Sequence, residues 1–481
     1  MKLNKILTAV VFAAVASAGA SSAAAQVMKE PADPLKSASA QKEQPPAGTA
    51  PKPFTLPKKE TFTLKNGMKV TLVPYGSVPK VTVTAVVRAG NLNETEQQTW
   101  LANVTGTMLK EGTATRTGAQ IAEEAARMGG QISVGVGNDT SSVTADVLSE
   151  FGPGAVALLA DVLTKPSFPA SELARIKADR ARQLTIARTQ PGSLANERFR
   201  RLLYPNHPYG RVFPTEAMIA GFTIDDVKKF YADNYGAGRT KLYVAGQFDS
   251  AAVRRAITQA FEGWPAGKAP VINVPKPVAA RALHLINRPN APQSTLYVGI
   301  PAVDPSSPDY ISFVVMNALL GGSFGSRITS NIREQKGYTY SPQSLLSTRY
   351  RDAYWVEIAD VTTAVTGPSL KEIFYEIERL QKEPPTEDEL RGIKNYLAGI
   401  FVIQNSSRQG IIGQLAFLDL HGLGEDYLNT YVQKVLAVTP SDVQRAAQRH
   451  LQSDKMAIVV VGDKAKIADQ LTTYGQIVEN P

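Results

Sequence analysis

The chain has 481 residues, 43% of them hydrophobic and 20% charged, a composition that suits a folded protein of two to four domains at about 100–200 residues each. It contains no cysteine, which excludes disulfides, thiolate metal sites and cysteine nucleophiles. Its net charge of +9 comes from lysines and arginines spread along the chain without an aromatic-basic motif, which argues against nucleic-acid binding.

Residues 1–25 read as a cleaved export signal. Lys2 and Lys5 precede an apolar run from Ile6 to Ala16, and Ala23-Ala24-Ala25 offers the small residues needed for cleavage after Ala25. The run is shorter than the roughly 20 residues that cross a bilayer, and no other run is apolar enough to do so. There is no twin arginine and no cysteine for a lipid anchor. Loss of the two lysines takes the formal charge of the mature chain from +9 to +7. Residues 26–57 are rich in Pro, Ala, Lys and Ser, lack apolar periodicity and read as a flexible leader.

The folded part opens with FTLKNGMKVTLVPY, two strand-like runs around an Asn-Gly turn signal, followed by the strand VTVTAVVRAG ending at Gly90. Next comes WLANVTGTMLKEGT, residues 100–113. Leu101, Val104, Met108 and Leu109 recur at helical spacing. Asn103, Gly106 and Thr107 occupy the other face at i, i+3 and i+4, a spacing at which a helix aims side chains at one point. None of the three is a useful metal ligand or catalytic base.

Farther on the sequence repeats itself. SELARIK from Ser171 recurs as DELRGIK from Asp388, an offset of 217, and TIDDVKKFYADNY from Thr223 recurs as TPSDVQRAAQRHL from Thr439, an offset of 216. Each of the latter leads into a strand closed by glycine, KLYVAG at Gly246 and AIVVVG at Gly462, again 216 apart. IAEEAARMGGQI from Ile121 matches ITSNIREQKGYT from Ile328 more loosely, at 207. The chain is therefore a tandem duplication of an α+β unit of about 200 residues. The expected organisation is an N-terminal domain at 58–263, a proline-rich connector at 264–282 and a C-terminal domain at 283–481. The two related domains are expected to face each other like the shells of a clam, with a cleft between them as the place for a site.

The four histidines, His207, His284, His421 and His450, lie more than a helical turn apart; they read as structural or surface residues. No Gly-x-Ser-x-Gly occurs, and GGSFGSR at 321–327 lacks a phosphate-loop lysine, so its glycines read as shaping a helix junction. NIREQKGYTYSPQS places Arg333 near a helix end, Gly337 at its C-terminal cap and a strand from Tyr338 onward. Reversal at Gly337 brings Arg333 and Tyr340 to one side, where a guanidinium and a phenol are able to donate hydrogen bonds to one carbonyl oxygen. Taken alone, the segment favours the plainer reading of a surface arginine and a half-buried strand tyrosine.

The order KNGMKVTLVP, VVRAG, MLKEGT, AARMGGQISV, FPASELARIK, NHPYGR and the Arg333–Tyr340 segment resembles the pitrilysin/insulinase-type (inverzincin) zinc metallopeptidases, in their short, processing-peptidase-like form. The resemblance spans residues 58–470. It implies that active members carry His-x-x-Glu-His on the first helix, at the positions of Asn103, Gly106 and Thr107 here. It also implies a glutamate as third ligand near Leu184 or Thr185, yet no acid lies between Asp179 and Glu197. All zinc ligands and the general base are thus missing, and the chain itself is expected to hold no metal. The resemblance further gives Arg333 and Tyr340 the part of the family's carbonyl-contacting pair. This pattern resembles the zinc-free subunit of two-chain members. It implies a periplasmic subunit, inactive alone, that orients unfolded peptides for an HxxEH-bearing partner carrying the zinc. A non-enzymatic scaffold or peptide-binding protein of the same fold is the alternative.

Overall fold

The computed structural model describes residues 54–479. The export signal and most of the leader lie outside the described residues. Two of the leader's last residues are packed: the Phe54 ring meets Phe401 edge-on at 5.0 Å, and Leu56 is buried, its amide donating to Asn429 Oδ1 at 2.9 Å.

Among the described residues, twelve strands form two six-stranded sheets with one shared plan. The first contains β1 (Glu60–Thr63), β2 (Lys69–Pro74), β3 (Lys80–Val87), β4 (Gln131–Val136), β5 (Ser141–Leu148) and β6 (Thr240–Gly246), in the order β1-β2-β6-β3-β5-β4. The second contains β7 (Ala282–Asn287), β8 (Gln293–Ala302), β9 (Gln343–Arg349), β10 (Asp352–Thr362), β11 (Ala457–Gly462) and β12 (Ile477–Glu479), in the order β12-β7-β11-β8-β10-β9. Strands β2 and β6 run parallel, with Pro74 opposite Gly246; β7 and β11 do the same, with Asn287 opposite Gly462. The remaining pairs in both sheets are antiparallel except at one edge. There β1 folds back on β2 through Asn66-Gly67, with Gly67 at φ +89°, whereas β12 arrives from the far end of the chain parallel to β7. A positive φ at this turn is what glycine permits without steric cost.

The repeated helices keep their start signals. Thr223 and Asp226 form a capping box for the helix Ile224–Asn234, and Thr439 and Asp442 do so for Pro440–His450. Each such helix precedes the strand that enters the middle of its sheet, β6 or β11. The connector is irregular from Pro265 to Arg281, while Trp264 at its start is buried in the first core.

One face of each sheet is covered by helices of its own half, and part of the other face by a helix lent from the opposite half. From the first half, the helix Pro191–Leu203 sets Ala195, Phe199 and Leu203 against Val459, Val461, Tyr297 and Val356. In return, the helix Arg408–His421 sets Ile411, Ile412, Leu415 and Leu418 against Val73, Tyr243 and Ala245. Gly299 makes the first exchange possible, since a Cβ there would stand 2.6 Å from the Phe199 ring. Each fully buried Leu, Ile or Phe in these layers contributes about 1.5–3 kcal/mol. Polar ties cross the same boundary. Tyr204 donates to Asp352, Lys241 and Tyr243 both reach Asp419, and Arg408 holds Thr82 at 3.1 Å and Asp146 at 3.2 Å. The fold is α+β, two related halves facing each other and clasped by this exchange.

Two local expectations change. The segment before Gly337 is a π-helical turn, Thr329–Gln335, with Lys336 N–H donating to Asn331 O at 3.1 Å. The strand expected from Tyr338 begins only at Gln343. Pro342 has no N–H to give a ladder, and the stretch before it pairs only through a bridge between Thr339 and Val361.

Candidate functional site

The helix Leu101–Leu109 buries Leu101, Val104, Met108 and Leu109 in the first core, as its periodicity requires. Trp100 precedes it at φ +76°, its indole N–H donating to Val212 O at 2.9 Å. Glu94 covers the exposed N–H groups of the first turn. Its carboxyl accepts from Ala102 N–H and from Asn91 Nδ2, both at 2.9 Å, and burial pushes its pKa up from 4.5 to about 7.

The opposite face is chemically closed. Asn91 Nδ2 donates to Asn103 Oδ1 at 2.8 Å, and Thr107 Oγ1 donates to Asn103 O at 3.0 Å. A Cβ at Gly106 would stand 2.5 Å from Val136 Cγ2, so strand β4 fills the space a longer side chain would need. Leu184 is buried in the core and Thr185 is exposed, its hydroxyl turned back on Ala181 O at 3.0 Å.

A guanidinium stands against this face. Arg180, on the helix Ala170–Thr189, donates through Nη2 to Thr107 Oγ1 at 2.6 Å and to Asn103 O at 3.1 Å. Burial lowers its pKa below the usual arginine value, though arginine stays charged at neutral pH. Zinc needs about three anionic or imidazole ligands. An amide already bonded, a glycine, a threonine and a fixed cation do not fit it.

The second candidate lies in the other half. Gly337 sits at φ +63° and donates to Arg333 O at 3.0 Å, reversing the chain so that Arg333 and Tyr340 come together. The Arg333 guanidinium carbon lies 4.4 Å from the centre of the Phe324 ring and 4.9 Å from that of Tyr340, a cation–π clamp. Glu334 Oε1 faces Arg333 Nε at 3.2 Å. The outcome inverts the plainer reading, because the arginine side chain is only 23% exposed while Tyr340 is 79% exposed. Among the described residues the Tyr340 hydroxyl makes no hydrogen bond, and it is presented to solvent at the rim of a groove of about 410 Å³. Gly321, Gly322, Phe324 and Tyr396 complete that groove, so the glycine run shapes its wall as well as a helix junction.

Arg333 and Tyr340 are therefore brought together, but neither contacts the first-half face built on Asn103, Gly106 and Thr107. Sequence reasoning missed Phe324, Tyr396 and Arg180. Only Arg180 left a signal: it lies one helical turn before Leu184, where the third ligand was sought. Of the histidines, His284 and His421 are buried, and His450 pairs with Asp309 at 3.0 Å. Among the described residues no three His, Asp or Glu side chains converge as a metal cage.

Comparison with known proteins adds to this geometry. Residues 70–212 match the model of the insulinase family (peptidase family M16), and residues 221–397 match that of the peptidase M16 inactive domain. The uncharacterized zinc protease YmxG of Bacillus subtilis is 26% identical over 72% of this chain and 84% of its own length. The non-peptidase homolog YmxG of Helicobacter pylori is 21% identical over 79% of this chain and 88% of its own length. A crystal structure described as a peptidase M16 inactive domain, from Pseudomonas fluorescens, superposes with a TM-score of 0.78 at 27% identity, covering 84% of this chain and 98% of that one. With its two matching family models, its duplicated fold and its altered zinc-motif helix, the chain belongs to the insulinase (M16) peptidase family.

Proposed function

We propose that this chain is the zinc-free subunit of a heteromeric peptidase, exported to the periplasm and inactive alone. The observation that carries the reading is the Arg333–Tyr340 pair, ring-clamped and presented at a groove in a chain whose own zinc face is closed. The partner would bear His-x-x-Glu-His and hold the zinc that activates water. This chain's residues would hold the peptide. Clamping between Phe324 and Tyr340 fixes the Arg333 guanidinium in place, so its N–H groups need little reorganisation to meet a carbonyl oxygen. Tyr340 O–H would donate to the same oxygen as negative charge develops there. An open groove suits unfolded peptides, which can lie along it in extended form.

The test is peptide turnover by the reconstituted complex. Arg333→Ala and Tyr340→Phe should each lower kcat by about 10²-fold, the usual scale for one oxyanion donor, with zinc content unchanged. Wild-type turnover in both variants would remove the proposed role. A second reading, a non-enzymatic peptide binder or scaffold, draws support from the closed zinc face and from the relative named a non-peptidase homolog. It predicts no zinc-bearing partner.

A further inference from the structure

The backbone that carries Arg333 is wound by three hydrogen bonds. Lys336 N–H donates to Asn331 O at 3.1 Å, Gly337 N–H to Arg333 O at 3.0 Å and Tyr338 N–H to Ile332 O at 2.8 Å. In an α-helical register Lys336 N–H would take Ile332 O instead. The π bond to Asn331 leaves that carbonyl to Tyr338, and the chain turns back there with Tyr340 two residues farther on. The register of this one turn therefore sets where Tyr340 lies as well as how Arg333 projects. Single π turns are rare and are frequent at functional sites.

Glu372, on the helix Thr366–Lys382, closes the π turn from a neighbouring element. Its Oε2 accepts from Asn331 Nδ2 at 3.0 Å and its Oε1 pairs with Lys336 Nζ at 3.3 Å, so one carboxylate holds both residues that make the π bond. Asn331 is buried, and its amide also donates to Glu376 Oε1 at 2.8 Å. Ile332 beside it is buried in the second core. Hydrogen bonds to an ionised carboxylate are about twice as strong as neutral ones, so this bridge favours the π register over the α-helical one. Glu372 does not line the groove at Arg333 and Tyr340, and it reaches a peptide there only through the turn.

We propose that Glu372 is a positioning residue for the Arg333–Tyr340 pair. By bridging Asn331 and Lys336 it holds the π turn, and the turn holds the guanidinium over the Tyr340 ring. The consequence for turnover rests on the reading of this chain as a peptidase subunit; the placement of the two side chains does not. Misplacing a catalytic group by about 1 Å costs up to about 10²-fold in rate.

The test installs 3-fluorotyrosine at position 340 of the mature chain and reads its fluorine NMR signal. Arg333→Ala marks the signal of a ring without its cation. Glu372→Ala should move the wild-type signal toward that mark, and Glu372→Gln, which keeps an acceptor for Asn331, should move it less. Lys336→Ala, at an exposed position, removes one arm of the bridge and should give a smaller move in the same direction should Glu372→Ala fail to fold. A signal that stays at its wild-type position in folded Glu372→Ala, or in Lys336→Ala where that variant stands in, overturns the inference. In the reconstituted complex Glu372→Ala should lower kcat about tenfold with KM unchanged. It should cost nothing further in an Arg333→Ala background, because both changes remove one effect. Losses that multiply in the double variant would overturn the inference as well. A moved fluorine signal together with turnover indifferent to Arg333→Ala would keep the positioning and remove the peptidase role.

Discussion

At Asn103, Gly106 and Thr107, writing the family's ligands back into the chain should not restore a metal site. Val136 stands where a glutamate at 106 would extend, and Arg180 sets a positive charge against the face. The Asn103→His/Gly106→Glu/Thr107→His variant should therefore purify without stoichiometric zinc. Metal analysis should show binding only when Val136→Ala, Arg180→Gln and Leu184→Glu are added. Stoichiometric zinc in the triple variant alone would show that Arg180 does not guard the face. Glu94 gives a second prediction at this scale. Folded Glu94 keeps its proton to about pH 7, against an ordinary value of 4.5, so between these values the folded state binds more protons than the unfolded one. The stability this contributes is fully present below pH 4.5 and is lost as pH rises through 7. Relative to Glu94→Gln, the wild type should lose roughly 3 kcal/mol across that window in urea titrations at stepped pH. A difference that stays flat with pH would mean that Glu94 is already ionised. The missing ligands were legible because a motif position names a residue type. Phe324 and Tyr396 were not, because nothing in their residue types marks the groove they line, and Arg180 was marked only by its place one turn before Leu184.

At the scale of elements, the exchange of the helices Pro191–Leu203 and Arg408–His421 welds two cores that the sequence presents as separate domains. Phe199→Ala should cost about 3–5 kcal/mol by emptying the space over Gly299. Calorimetry should then show one transition shifted down for the whole molecule, and two separated transitions would show that the halves unfold independently. Local signals made much of the rest readable. The Asn66-Gly67 turn and the Thr–Asp capping boxes at 223 and 439 occur where the chain pattern places them. Helical periodicity shows that Ile411, Leu415 and Leu418 form an apolar face. It does not show that the opposite half's sheet covers them. The π-helical turn at Thr329–Gln335 was equally hidden, since lengthening the hydrogen-bonded loop by one residue leaves no compositional mark.

For the whole molecule, the duplication gives two halves that carry different side chains: the Arg333–Tyr340 pair on one, and on the other the Asn103, Gly106 and Thr107 face against which Arg180 stands. Each copy has the same sheet order, and function resides in what each carries on that scaffold. Two chains would then divide the labour, with zinc and activated water on the partner and the carbonyl clamp on this one. The most direct measurement is a native pull-down of the tagged mature chain, with co-purifying proteins identified and zinc counted per chain. The account predicts a stoichiometric partner bearing His-x-x-Glu-His, one zinc per complex and none in the isolated chain. A chain recovered alone or only with itself, without zinc, would contradict it.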